Sequence, residues 1–319
     1  MRRRNALRSC RSYYRAAPHV HAGLRLLRSL RYAVTLFVAG LAIGCVPKSS
    51  LIQPYSGSTE TLDQLVGDVN ANVEPLPTLW AKGDFDASIA DHGHRTNVSG
   101  TAYLMHDRPQ QMLFIGKADV LGEVFRMGSG PEKYWVTVKG DTDTCWWGTF
   151  ANLNRVDEQA IPVRPDLVEA VLGLDALDTD LTRQPCPVMR FNNDQRAYMI
   201  VWIVKGPDRW LAQKEIWYDL DTKLPRLVNL FDANGRVVLS AYLSDHKPVD
   251  MGSSATQSQQ SPRVATNYRL FFPDSGSTLR LHLTDLRLES HGHPNAANFA
   301  FNPDTVNVKH VINLDESAH

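Results

Sequence analysis

Residues 278–290 read TLRLHLTDLRLES, and the order of apolar and polar residues in them decides the fold. Leu279, Leu281 and Leu283 alternate with Arg280, His282 and Thr284, the period of two that buries one row of side chains and leaves the other in water. After Asp285 the phase slips, so that Leu286 and Leu288 carry the apolar row. An uncorrected slip would turn every later side chain to the wrong face. A β-bulge near Thr284–Asp285 absorbs it. The stretch therefore predicts one strand of a one-sided antiparallel sheet.

The same pattern runs through most of the chain. Short segments rich in aromatic and β-branched residues, among them QQMLFIGKAD (110–119), EKYWVTVKG (132–140), RAYMIVWIVKG (196–206) and RVVLSAYLSD (236–245), are divided by Gly, Pro and Asp turns. Residues 232–235 (DANG) are a hairpin turn signal. The expected fold is mainly β (α+β): a curved antiparallel meander of about eleven strands, without internal repeat or βαβ rhythm. Two helices interrupt it. Leu62, Leu65, Val66, Val69 and Val73 recur at helical spacing, with Thr59 or Thr61 as cap and Pro75 as terminator. A helical insert is expected around 165–172, and residues 250–262, polar and low in apolar side chains, read as a mobile loop. A one-sided sheet must cover its apolar face. Two short helices are little cover for so large a sheet, so an apolar cavity between sheet and helices is expected.

The first 44 residues differ from the rest. They hold nine arginines and no Asp or Glu, so that residues 45–319 keep 25 of the 34 basic residues against all 34 acidic ones, a net charge of about −9. A basic region, a short apolar run (33–44) and small residues at a processing point read as a secretory signal, and the run is shorter than the roughly 20 residues of a membrane span. The acidic remainder argues against nucleic acid as a partner. Leu41-Ala42-Ile43-Gly44-Cys45 resembles the lipobox of bacterial lipoproteins. That resemblance implies cleavage before Cys45, lipid on its thiol and anchoring by two or three acyl chains. The expected organisation is a signal over 1–44, lipidated Cys45 and a tether over 45–58, a folded domain over 59–314, and a tail over 315–319. Cys145 and Cys186 are then an even pair in a compartment that permits disulfides; a bridge and two buried thiols both stay open.

The leading amphipathic helix, the long meander, the helical insert and the closing FAFNP (299–303) are together similar to the LolA/LolB superfamily of bacterial lipoprotein carriers and receptors. The resemblance covers roughly residues 59–314. It implies a half-open β-barrel around a cavity for acyl chains, a monomer anchored in the cell envelope, in the outer membrane by preference, facing the periplasm, and a lipid or lipoprotein as cargo. In the receptor branch a loop between the third and fourth strands ends in Leu-Gly and touches the membrane. The match here falls on Leu121-Gly122, with Asp119-Val120 in place of a proline turn. The alternative is that Leu121 folds back onto the core.

Candidate cavity residues are Trp135, Trp146, Trp202, Ile216, Tyr218 and Leu281, all on expected strands. Trp146 and Trp147 are adjacent and must point to opposite faces. His92, His94, His291 and His293 form two HxH pairs, a weak metal signal in Gly-rich connections, and no metal or cofactor is expected. GxSxG, HExxH and Walker patterns do not occur. The expected function is non-enzymatic acyl-chain or lipoprotein binding, with possible transfer in the envelope. The alternative is an envelope interaction protein that reuses the fold without cargo.

Overall fold

The bulge expected from the leucine phase is present. In the computed structural model Lys82 pairs with Asp285 and Gly83 with Leu283, so Thr284 is left as the extra residue. Its Oγ1 donates to the Lys82 carbonyl oxygen at 3.3 Å. A Cβ on Gly83 would lie 2.0 Å from the His282 carbonyl oxygen, so the close approach at the bulge requires glycine.

The structure describes residues 55, 57–91, 94–109, 111–140, 143–155, 167–206, 208–251, 261–288 and 299–316. Helix α1 (Leu62–Val73) starts at Thr61, which closes a capping box with Gln64, and buries Leu65, Val66, Val69 and Val73. Fourteen strands follow: β1 (Thr78–Asp91), β2 (His94–Asp107), β3 (Gln111–Ala118), β4 (Gly122–Ser129), β5 (Lys133–Val138) and β6 (Thr144–Thr149), then β7 (Cys186–Asn192), β8 (Ala197–Lys205), β9 (Trp210–Asp219), β10 (Pro225–Phe231), β11 (Val237–Pro248), β12 (Arg263–Phe272), β13 (Ser277–Arg287) and β14 (His310–Asn313). Helix α2 (Val168–Leu172) ends at Gly173, whose φ of +71° suits a residue without Cβ. The 232–235 turn joins β10 to β11, with Gly235 at φ +78°.

All strands belong to one curved, unclosed sheet in the order β14-β6-β5-β4-β3-β2-β1-β13-β12-β11-β10-β9-β8-β7. The count exceeds the expected eleven. Its least legible member is β14, four residues that pair in parallel with β6 and show no apolar alternation. Every other neighbouring pair is antiparallel. Consequently the turns alternate between two ends of the sheet. The β1–β2, β3–β4, β5–β6, β8–β9, β10–β11 and β12–β13 turns share one end. The other end holds the start of β1 and, through its bond to Tyr198 at the start of β8, Glu60.

The sheet is covered differently on its two faces. The inner face, under α1 and α2, carries Phe85, Leu104, Phe114, Ile216, Val228, Leu239 and Leu281. The outer face of β2–β6 has a cover of its own, the segment 299–308. There Phe299 joins Leu113, Ile115, Trp135 and Cys145 in one cluster, flanked by Phe301, Val306 and Val308. Beyond the segment, Asp315 accepts from the Thr149 N–H at 3.1 Å and hydroxyl at 2.9 Å. The expected tail thus begins with a residue tied to the end of β6.

Candidate functional site

Cross-strand pairing assigns each candidate to a face, because directly opposed residues share one. Tyr198, Ile200 and Trp202 on β8 oppose Tyr218, Ile216 and Lys214 on β9, all on the inner face. Leu281 opposes Phe85 and Tyr268 there. Trp146 opposes Val136 on the inner face and packs against the cluster of Tyr134, Leu153 and Leu314. Trp147 is on the outer face, so the two adjacent tryptophans do diverge.

Trp135 does not line the inner face. It opposes Gly128, and a Cβ on that glycine would lie 2.3 Å from the indole ring. The indole thus lies across the glycine on the outer face and stacks on Phe301, ring centroids 4.9 Å apart at 12°.

Among the described residues, the space where α1 and α2 meet β9 and β10 is nearly filled. Val69, Val73, Ala170, Ile216, Tyr218 and Pro225 line a cavity of about 10 Å³, room for one water at most and far below the roughly 300–1,000 Å³ of ligand pockets. An open cavity was expected. Residues 167–177 close this corner: Leu167, Val168, Val171, Leu172, Leu174 and Leu177 are all buried, so the plug runs past the end of α2 to Leu177.

Polar contacts fasten this plug. Asn70 on α1 donates its amide to the Leu177 carbonyl at 2.9 Å and accepts from the Leu177 N–H at 2.8 Å. The Tyr268 hydroxyl donates to the Leu172 carbonyl at 3.2 Å, and Arg108 to that of Leu174 at 3.1 Å. His106, 1% exposed, sets its Nε2 3.1 Å from Glu169 on α2. Lys214 pairs with Asp175 and lies over the Trp202 ring at 4.7 Å. Burial, and then the Asp175 charge, push the Tyr218 hydroxyl well above the usual phenol range. Burial does the same to Tyr268. Both stay neutral, and Tyr268 keeps its proton for the Leu172 carbonyl.

Both described cysteines are free thiols. Cys145 lies on β6 and Cys186 on β7, and every other strand except β14 stands between them in the sheet. The bridge that sequence left open is not formed. Burial raises the Cys145 thiol above the ordinary range, which leaves it protonated and unreactive.

Leu121 stands at the tip of the β3–β4 turn, 71% exposed, beside Val120 at 95%. It does not fold onto the core. Gly122 follows at φ +70° and closes the turn. His94 is exposed at the start of β2, while Cys45, His92, His291 and His293 lie outside the described residues. Among the described residues no group of three or more His, Cys, Asp or Glu side chains could hold a metal.

No protein-family model matches the chain, and no curated protein matches it. Solved structures do. A DUF1329 family protein from Desulfovibrio piger is 15% identical, with 75% of this chain and 95% of that one covered, at a TM-score of 0.46. A putative outer membrane lipoprotein-sorting protein domain from Vibrio parahaemolyticus is 11% identical, covering 73% and 94%, at 0.48. A LolA superfamily protein from Nitrosomonas europaea is 12% identical, covering 76% and 99%, at 0.46. The structural neighbours are DUF1329 and LolA-superfamily proteins.

Sequence reasoning missed two parts of the site. The plug between Gly173 and Leu177 has no helical period, and only its run of leucines marks it. The outer cover at 299–308 does show a signal, Phe299 with Phe301 and Val306 with Val308 each two apart, but the turn at Pro303–Thr305 separates the two pairs and neither is long enough to define a strand.

Proposed function

We propose that the chain is a lipid-anchored, non-enzymatic protein of the cell envelope that takes the acyl chains of a lipid or lipoprotein onto its inner sheet face. The observation that carries this reading is the pairing of a broad apolar face with a small separable cover. That cover is α1 and residues 167–177, pinned by a handful of side-chain hydrogen bonds, each worth about 1 kcal/mol net.

Magnitudes decide what cargo could displace the cover. Six large buried side chains of 167–177 contribute roughly 9–18 kcal/mol of apolar burial at about 1.5–3 kcal/mol each. One acyl chain burying about 14 methylenes returns roughly 11 kcal/mol at about 0.8 kcal/mol per methylene. A single fatty acid therefore gains little, whereas cargo with two or three chains exceeds the burial it replaces. Multiply acylated cargo is the fit.

Cys45 supplies the anchor in this reading and the exposed Leu121 tip the membrane contact. Native mass spectrometry of the full chain, isolated from membranes, tests it. Non-covalent diacyl or triacyl species should accompany the protein. If none does, and a doubly palmitoylated peptide fails to bind even after Asn70→Ala loosens the cover, the reading is lost. The filled 10 Å³ cavity favours a second reading, an envelope interaction protein without cargo; that negative result is what it predicts.

A further inference from the structure

The outer face of β9–β13 carries a different chemistry from the covered half. Pairing sets Trp217, Leu227, Tyr242, Arg269 and Arg280 in one row across five strands. Tyr242 is 48% exposed, and Phe271, next on the same face of β12, is 43% exposed.

Two features of this patch cost stability. Arg269 and Arg280 are directly opposed on β12 and β13, and like charges so placed repel. Arg269 lies over the Tyr242 ring at 5.7 Å. Neither arginine has an ion pair among the described residues, whereas Arg196, Arg226 and Arg236 on the same half of the sheet each pair with an aspartate. The second feature is Asp245, held at φ +54° inside β11, where the pairing passes from Ser244–Asn267 to His246–Ala265. Its Oδ2 accepts from Thr266 at 2.9 Å and Asn267 at 3.4 Å. Asn267 Oδ1 in turn lies 2.6 Å from His282 Nδ1. The strained residue thus fixes an imidazole two positions from Arg280 on the same face. On the β1 side Asp86 opposes Arg280 and Asp84 opposes His282; among the described residues neither forms an ion pair with the residue it opposes. Local strain and like-charge opposition that persist together mark a site kept for binding.

We propose that Arg269 and Arg280, with His282 beside them, bind the phosphate of an anionic phospholipid headgroup, while Tyr242 and Phe271 receive its glycerol and upper acyl segments. Guanidinium pairs match phosphate oxygens in geometry and charge. The exposed aromatic neighbours select an amphiphile over free phosphate. This site lies on the face opposite the plug and stands independently of the acyl-binding reading.

Thermal unfolding of the full chain in a neutral detergent, with dihexanoylphosphatidylglycerol, dihexanoylphosphatidylcholine or inorganic phosphate added, tests the assignment. The phosphatidylglycerol should raise the midpoint by about 3–5 °C at ten times its dissociation constant, and the rise should shrink with salt. The other two probes should do far less. Arg269→Ser with Arg280→Thr should raise the midpoint of the lipid-free protein, through relief of the repulsion, and abolish the lipid response. An equal response to inorganic phosphate would overturn the lipid assignment. A phosphatidylglycerol response that survives the double substitution would overturn the site, and so would no response in the wild type. Inner-face acyl occupancy by native mass spectrometry should not change in the double variant, so the two readings fail separately.

Discussion

Asn70 and Leu177, 107 positions apart, hold each other by two hydrogen bonds, one side-chain amide satisfying both backbone groups of a single residue. The contact is buried and joins α1 to the far end of the plug. Asn70→Ala removes both partners and leaves a buried N–H and C=O unpaired, at about 1–3 kcal/mol each. Hydrogen exchange should speed up across 167–177 while β1 and β13 stay protected. Uniform loss of protection would show that the plug is not a separable unit.

Two glycines should respond in opposite directions. Gly83→Ala drives a methyl into the His282 carbonyl at the bulge and should destabilise by about 1–3 kcal/mol. Gly67 lies inside α1 with nothing within 4 Å of an added Cβ, so Gly67→Ala should stabilise by about 0.5–1 kcal/mol. Denaturant titrations of both variants check the contrast.

Phe301 stacks on Trp135 above the Cys145 thiol. Phe301→Ala should cost about 2–4 kcal/mol, alter the Trp135 fluorescence, and accelerate labelling of Cys145 by a thiol reagent. Unchanged labelling would mean that the outer cover does not shield the thiol.

His246 is held below the ordinary imidazole value, first by burial and then by the Arg263 charge, against the raising effects of the Pro225 backbone, Asp219 and Asp245. Its folded pKa is depressed, so the unfolded chain binds the proton first as pH falls. The associated stability is complete above about pH 6.5 and is lost progressively below it. His246→Leu should flatten the stability profile between about pH 5 and 6.5. An unchanged slope there would assign the titration to another group.

Leu121 should be separable from folding. At 71% exposure it buries little, so Leu121→Glu should leave the unfolding midpoint within about 0.5 kcal/mol of wild type while reducing association with vesicles. A variant that unfolds instead would place the side chain in the core.

Much of the fold was legible because its signals are local. Leucine phase at 279–288 gave the strand and its bulge, Thr61 and Gln64 the helix start, and Gly235 the hairpin. What was not legible depends on distant partners. Leu174 and Leu177 carry no mark of burial in the sequence; their places show only when Arg108 and Asn70, far off in the chain, bond to them. Trp135 carries no mark of its face except the glycine opposite it, and that pairing needs the register. Cys145 and Cys186 look like partners only while the order of strands in the sheet is unknown.

One consequence follows from where the chain enters. Glu60 bonds to Tyr198 at one end of the sheet, and Leu121 tips the opposite end. The 14 residues of β1 run between these ends, roughly 46 Å at about 3.3 Å each. Under the proposed Cys45 anchor, residues 46–59 are roughly 50 Å long at full stretch, about the length of β1 itself, so such a tether is long enough for the Leu121 tip to meet the membrane that holds the anchor.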